Sequence, residues 1–252
     1  MLDEAQAREQ IVECCRWMHQ RGLISGGEGN VSVLLRKGTI LITPSGLNKG
    51  RLKPSDLLVT DAKNGRVMKG KGKPSSEILV HLAAYRVRPD IGAVIHAHPP
   101  TAIAVTLARI GFAQCILPES ILSLGSVALA EYATPSSEEL AREVERALVT
   151  HDVVMMDRHG SVTLGQDLFQ AYDRLESLEH TAKITWMARL LGPISPLPEN
   201  EIQKLKRMAQ AMGIKTSSLG CEQCHICDNK QTDQAFVDNV VSMVLKRLSG
   251  GM

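Results

Sequence analysis

The stretch Ala93-Val94-Ile95-His96-Ala97-His98 constrains this chain more than any other. Its apolar start suits a buried strand, and Pro99-Pro100 ends that strand because proline has no N–H for the ladder. On a strand, residues i and i+2 project to one face, so both imidazoles can converge on one ion at the strand's end. Taken alone, the pair is also consistent with histidines that only hydrogen-bond in the core or at the surface. His159 adds a second element. It follows the apolar run Val153-Val154-Met155-Met156 and precedes Gly160, at a strand end where loop residues carry function. Three imidazoles and one carboxylate would complete a four-ligand zinc sphere, although spacing alone does not bring them together. His19, His81, His151 and His180 lack such a context and are read as structural.

The rest of the chain alternates strands with covering helices. The apolar spacing predicts a helix over 3–21, closed by Gly22, and then the glycine-rich loop Ser25-Gly26-Gly27-Glu28-Gly29-Asn30. Strands follow at 31–35, 39–43 and 57–60, the last with an Asn64-Gly65 turn. Pro74-Ser75-Ser76-Glu77 opens a helix to about Arg86, with the serines as N-cap and Glu77 in the first turn. A helix over about 101–110 leads into a stretch through Glu131 with no clear pattern. Beyond it come a helix capped at Ser136 or Ser137, strands at 153–156 and 161–164, and a long helix over 168–191. Hairpins, strands and helices in this mixture argue for an α/β sandwich.

Bulk properties exclude several classes. The 252 residues can bury one full core, or two small ones. A net charge of +2 gives no global pull toward nucleic acid or a membrane surface, and 3% aromatic content argues against base-stacking platforms. There is no run of 18 apolar residues, and Met1-Leu2-Asp3-Glu4 lacks the layout of a signal peptide, so a cytoplasmic location is expected. Cys14 and Cys15 are adjacent, Cys115 is isolated, and three more crowd into 221–227, which is not the framework of a secreted disulfide scaffold.

Five motifs occur together in order: Gly29-Asn30-Val31-Ser32, Ile42-Thr43-Pro44-Ser45-Gly46, Pro74-Ser75-Ser76-Glu77, Val94-Ile95-His96-Ala97-His98 and His159-Gly160. In this the chain resembles the class II aldolase/adducin-head family over about residues 5–212, most closely its fuculose-phosphate aldolase branch. The resemblance implies a three-layer α/β/α sandwich with a central, mostly antiparallel sheet and a C-terminal helical extension. It also implies a homotetramer with active sites at subunit boundaries. One Zn²⁺ per subunit would be held by Glu77, His96, His98 and His159, with Glu77 doubling as acid/base. The substrate phosphate would lie against Gly29, Asn30, Ser45, Gly46, Ser75 and Ser76. That assignment agrees with elementary chemistry, since glycine permits close backbone approach and hydroxyls and amides donate to phosphate oxygens. The implied reaction is reversible cleavage of a ketose 1-phosphate to dihydroxyacetone phosphate and a short aldehyde such as lactaldehyde.

One departure bears on the substrate. The branch also uses two tyrosines, whose positions fall near Leu117 and Met212, whereas this chain has only Tyr85, Tyr132 and Tyr172. Glu119 could replace the first as a proton donor, or be an ordinary surface carboxylate. Read instead as the downstream glutamate of a methylthioribulose-phosphate dehydratase, it would point to dehydration. The related 4-epimerases generally carry aspartate where Glu77 stands. Adducin heads keep the fold as non-catalytic interaction modules, against which the retention of all four ligands argues.

Residues 1–215 are expected to form the catalytic domain, 216–233 a cysteine-containing polar linker and 234–252 an amphipathic helix. Cys221, Cys224 and Cys227 could hold a second metal ion, or remain reduced thiols, since ligands so close in sequence do not easily wrap a tetrahedron. Phe236, Val237, Val240, Val241, Val244, Leu245 and Leu248 form one apolar stripe. It would pack on its own tetramer or, like the short extensions that direct cargo enzymes, dock to a bacterial microcompartment shell protein.

Overall fold

The computed structural model describes residues 3–36, 38–109 and 115–211. Met212, the cysteine cluster at 221–227 and the stripe at 236–248 lie outside the described residues. Eight strands form one sheet: β1 (Asn30–Arg36), β2 (Thr39–Ile42), β3 (Leu58–Asp61), β4 (Val67–Lys69), β5 (Ala93–Ala97), β6 (Val127–Ala130), β7 (Val153–Met156) and β8 (Gly160–Gly165), in the order β4-β3-β2-β1-β5-β8-β7-β6. Every pairing is antiparallel except β6 with β7. This is the mostly antiparallel sheet expected.

Strand β5 is central because its side chains leave it no exposed face. It pairs with β1 on one side and β8 on the other, and all five of its residues are buried. Ala93, Ile95 and Ala97 pack into a core with Ile11, Cys15 and Met18 of α1 (Glu4–Gln20) and Leu168 and Leu175 of α6 (Leu168–Leu191). Val94 faces the opposite core, built with Val80 and Ala84 of α2 (Ile78–Val87) and Leu140 and Val144 of α5 (Glu138–Leu148). Helices thus cover both faces, in three layers. Each fully buried Leu or Ile contributes roughly 1.5–3 kcal/mol, so these two cores hold the sheet as a rigid platform. No helix of the described residues is long and apolar enough to cross a membrane.

The exit from β5 is tied down as well. Helix α3 (Pro100–Leu107) starts at the second proline, and its Thr101 and Ala102 amides donate to the two carboxylate oxygens of Glu179 on α6, each at 3.0 Å. A carboxylate there satisfies orphan amides and complements the helix dipole. The backbone amide of His98 donates to Leu23 O at 3.0 Å, fixing the last residue of the motif.

Three expectations need correction. The patternless stretch contains α4 (Pro118–Leu124) and the edge strand β6, whose four residues are too few and too mixed in burial to show a period. Strand β4 was missed for the same reason, being three residues and largely exposed. Cys115, isolated in the sequence, is disulfide-bonded in the structure, while Cys14 and Cys15 are free and buried.

A buried charge cluster joins the layers. Asp152, just before β7 (Val153–Met156), meets Arg88 Nη1 at 2.7 Å through Oδ1 and Arg174 Nη2 at 2.7 Å through Oδ2. Arg174 also donates to Leu164 O at 2.6 Å. Removing the shared carboxylate leaves the buried Arg174 guanidinium without its ion-pair partner in low dielectric, while Arg88 keeps its pair with Asp90. Asp152→Ala should therefore lower the unfolding free energy by about 3–5 kcal/mol, read from the urea midpoint.

Candidate metal centre

Each of the four candidate ligands is placed by a different local device. His96 points to the α2 side of the sheet, and its Nδ1 donates to Ser161 O on β8 at 2.9 Å. That bond fixes the tautomer and leaves the Nε2 lone pair aimed out of the sheet. His98 Nε2 lies 3.0 Å from His96 Nε2. His159 is delivered by the β7–β8 turn, in which its amide donates to Met156 O at 3.1 Å and Arg158 adopts a left-handed φ of 60°. A non-glycine residue there costs about 1–2 kcal/mol, local strain of the kind that persists at functional sites.

Glu77 was expected in the first turn of its helix. It is instead the N-cap of α2, with φ −101° and ψ 20°, and its backbone N–H donates to Ser75 Oγ at 3.3 Å. This turns the carboxylate inward. Oε2 lies 2.9 Å from His96 Nε2, and Oε1 lies 3.1 Å from His159 Nε2.

The four ligand atoms lie within 4.8 Å of one another. The imidazole centroids form a nearly equilateral triangle with sides of 4.8, 5.0 and 5.1 Å. Tetrahedral bonds of about 2.0 Å imply ligand–ligand edges of about 3.3 Å, close to the donor-atom contacts of 3.0 Å between His98 and His96, 2.9 Å between His96 and Glu77, and 3.1 Å between His159 and Glu77. The chemistry of the donors fits a cation too. Two imidazole nitrogens and a carboxylate oxygen facing one another repel unless a proton or a cation lies among them, and both Glu77 oxygens face imidazole nitrogens in this way. Burial would raise the Glu77 pKa, but the His159 and His96 contacts and charges outweigh it and hold the carboxyl well below its ordinary value. Burial, then the neighbouring His96 and His159, lowers His98 to about 4, so at neutral pH the ring is uncharged and one of its nitrogens has a lone pair available to a metal.

Gly160 shows how tightly the strands are drawn around this group. A Cβ there would sit 2.4 Å from Ala97 O and 3.0 Å from ring carbons of both His96 and His98. Only glycine allows β8 to start beside the two imidazoles.

The residues expected to bind phosphate lie on three neighbouring loops. Ser45 N donates to Lys73 O at 3.0 Å, Ser75 N donates to Thr43 O at 3.2 Å, and Pro44 bridges Pro74, which joins 43–46 to 73–76. The buried Lys49 ammonium donates to Gly27 O at 2.9 Å and Leu47 O at 2.8 Å, drawing in the glycine-rich loop. Gly29, at φ +68°, approaches His96 O so closely that a Cβ would lie 3.1 Å from it. Ser45, Gly46 and Ser76 are exposed, and Ser75 is buried.

Asn30, expected at the substrate phosphate, has its side-chain amide on Glu77 and His81. It is 3% exposed, with Nδ2 donating to Glu77 Oε2 at 3.2 Å and Oδ1 accepting from His81. Its amide thus serves the carboxylate. Glu119 is exposed in the first turn of α4 and is not one of the four clustered residues. His81, read as structural, is indeed a buried, hydrogen-bonded core residue, but its bond to Asn30 connects it to the centre. The sequence held a signal: His81 lies one helical turn beyond Glu77, on the same face of α2.

Gly160→Ala should lower metal affinity at least tenfold while leaving far-UV circular dichroism unchanged, because the added methyl pushes on both imidazoles and on Ala97 O. Equilibrium dialysis against Zn²⁺ or Co²⁺ checks it, with His96→Ala as the ligand-deleted reference.

Comparison with known proteins agrees with this geometry. Residues 9–186 match the family described as Class II Aldolase and Adducin N-terminal domain. The chain is 32% identical over 208 residues to a 5-deoxy-D-ribulose 1-phosphate aldolase of Bacillus thuringiensis serovar kurstaki, covering 82% of this chain and 96% of that one. It is 34% identical over 188 residues to a 3-oxo-tetronate 4-phosphate decarboxylase of Haemophilus influenzae, covering 73% and 88%. A solved L-fuculose 1-phosphate aldolase superposes with a TM-score of 0.73 at 32% identity, covering 82% of this chain and 96% of that one. A match over most of the chain, on the same fold and with the four clustered ligands in place, makes this protein a member of the class II aldolase family.

Proposed function

We propose that this chain is a zinc-dependent aldolase that reversibly cleaves a ketose 1-phosphate, fuculose 1-phosphate or a near relative, to dihydroxyacetone phosphate and a short aldehyde such as lactaldehyde. The observation that carries the reading is the meeting of the Glu77, His96, His98 and His159 donors with three loops of hydroxyls and amides. A phosphate against Gly29, Asn30, Ser45, Gly46, Ser75 and Ser76 would orient the substrate with its carbonyl toward the histidines.

When bound, a divalent cation supplies Lewis-acid stabilisation of the negative charge that develops as the carbon–carbon bond breaks. The chain's own residues do the rest. His96, His98 and His159 hold the site without adding charge, keeping it more electrophilic than thiolates would. Loss of the C4 hydroxyl proton breaks the C3–C4 bond and leaves an enediolate on the phosphorylated fragment. In the condensation direction the ionised Glu77 carboxylate removes the C3 proton of dihydroxyacetone phosphate; in cleavage it first takes up a proton, balancing the one released from the C4 hydroxyl, and passes it to C3 of that fragment. Glu119, exposed on a single chain, is assigned the C4 hydroxyl proton across a subunit boundary of the homotetramer.

A second reading is decarboxylation of a phosphorylated 3-oxo acid, favoured by the name of the Haemophilus relative. It shares the enediolate and differs in releasing carbon dioxide. A panel of fuculose, rhamnulose, ribulose, 5-deoxyribulose and methylthioribulose 1-phosphates plus 3-oxo-tetronate 4-phosphate separates the two. Dihydroxyacetone phosphate from a ketose 1-phosphate supports the aldolase, and carbon dioxide from the oxo acid alone overturns it. With the best substrate, Glu77→Gln should lower kcat by roughly 10²–10⁴.

The segment 234–252 is assigned a docking role toward a microcompartment shell protein, on its apolar stripe alone. Deleting 217–252 should leave aldol cleavage intact and abolish co-sedimentation with shell proteins; retained co-sedimentation refutes the assignment.

A further inference from the structure

A chain of buried polar side chains runs behind the centre, and its hydrogen bonds have a single consistent direction. Asn30 Nδ2 donates to Glu77 Oε2 at 3.2 Å. The Asn30 Oδ1 at the other end of the amide can only accept, so His81 Nε2 carries the proton in their bond. His81 Nδ1 then has a lone pair and accepts from Ser32 Oγ at 2.7 Å. Ser32, its proton used, accepts from Tyr85 Oη at 3.0 Å. His81 and Ser32 are fully buried, and Asn30 nearly so.

Local geometry explains why these residues meet. Asn30 and Ser32 are two apart on β1 (Asn30–Arg36) and share one face, while Val31 and Val33 face the opposite core. Glu77, His81 and Tyr85 are each four apart, at the N-cap and along α2, and so share one side of the helix. Burial holds His81 neutral, lowering it to about 3, and the nearby His96 adds to that effect. The chain has no charge of its own, and each link is satisfied only if the next one is.

We propose that His81 is a positioning residue that acts through Asn30 to hold Glu77 by Oε2, keeping both carboxylate oxygens turned toward the His96 and His159 imidazoles of the centre. It touches neither substrate nor metal. An asparagine without this restraint could flip, placing its carbonyl oxygen against the carboxylate and pushing Glu77 away from the imidazoles. Outer partners of this kind typically change metal affinity or activity by about 10–100-fold.

This inference rests on the reading of the four residues as a metal centre, so the experiment tests the two separately. Co²⁺ is titrated into metal-stripped protein, and the absorption of the bound ion gives its affinity and its coordination environment. Wild type that binds no Co²⁺ overturns the metal centre and this inference with it.

If wild type binds, His81→Leu should weaken Co²⁺ binding about 10–100-fold and alter the bound-ion spectrum. His81→Gln should recover most of the loss, because glutamine can donate to Asn30 and accept from Ser32. The double variant with Asn30→Ala should be no worse than Asn30→Ala alone, since the two residues act in series. In turnover, the loss should fall on kcat with KM within about twofold of wild type. A His81→Leu protein with wild-type affinity, spectrum and kcat overturns the positioning role alone, as does a folded His81→Gln protein that recovers nothing. Should His81→Leu fail to fold, Ser32→Ala, which removes one hydroxyl, replaces it. Weakened Co²⁺ binding by that variant supports the role, and unchanged binding overturns it.

Discussion

A carboxylate taken out of water among three imidazoles repels their lone pairs and lacks the solvation that would make its charge tolerable. Such a group is unstable unless a cation or protons share its space. Much of the structure around Glu77 can be understood as keeping that arrangement in place. The N-cap geometry of α2 turns the side chain inward, His96 is locked into one tautomer by Ser161 O, and Gly160 leaves just enough room for β8 to begin.

The sheet makes this meeting possible because its register joins segments far apart in sequence. Asn30 is opposite His96, and His96 is opposite Val162, so β1, β5 and β8 present their site residues at one level. His159 then arrives from the turn that starts β8, and α2 lies over the same face with Glu77 at its beginning. Glu179 ties the start of α3 to α6, and with it the residues just after His98. Two separate hydrophobic cores, one on each face, keep these strands from shifting. A one-residue slip in β5 would move His96 to the other face.

What could be read from the sequence followed the strength of local signals. Strand β5 was legible because an apolar run ended in two prolines, and α6 because it is long; its caps in the structure are Asp167 and Gly192. The four clustered residues were legible as a group only jointly. His-x-His and His-Gly are weak patterns alone, and it was their order among five motifs that gave them meaning. Strands β4 and β6 and helix α4 were not legible, since each is too short to show a period. The contacts of Asn30 with Glu77 and His81 were not legible, because a sequence shows that an amide is present but not which neighbour it meets. His81 looked like any core histidine, and its bond to Asn30 exists only because α2 packs over β1. Long-range pairing of that kind leaves no local trace.

The central claim is that Glu77, His96, His98 and His159 bind one divalent ion together. X-ray absorption at the zinc edge of the zinc-loaded protein tests it most directly, since it reports the ligand atoms themselves. The account predicts one ion per chain in an environment of imidazole nitrogen and carboxylate oxygen at about 2.0–2.1 Å, with no sulfur, and loss of that signal in His159→Ala. A first shell dominated by sulfur at about 2.3 Å, or a signal unchanged by His159→Ala, would contradict it.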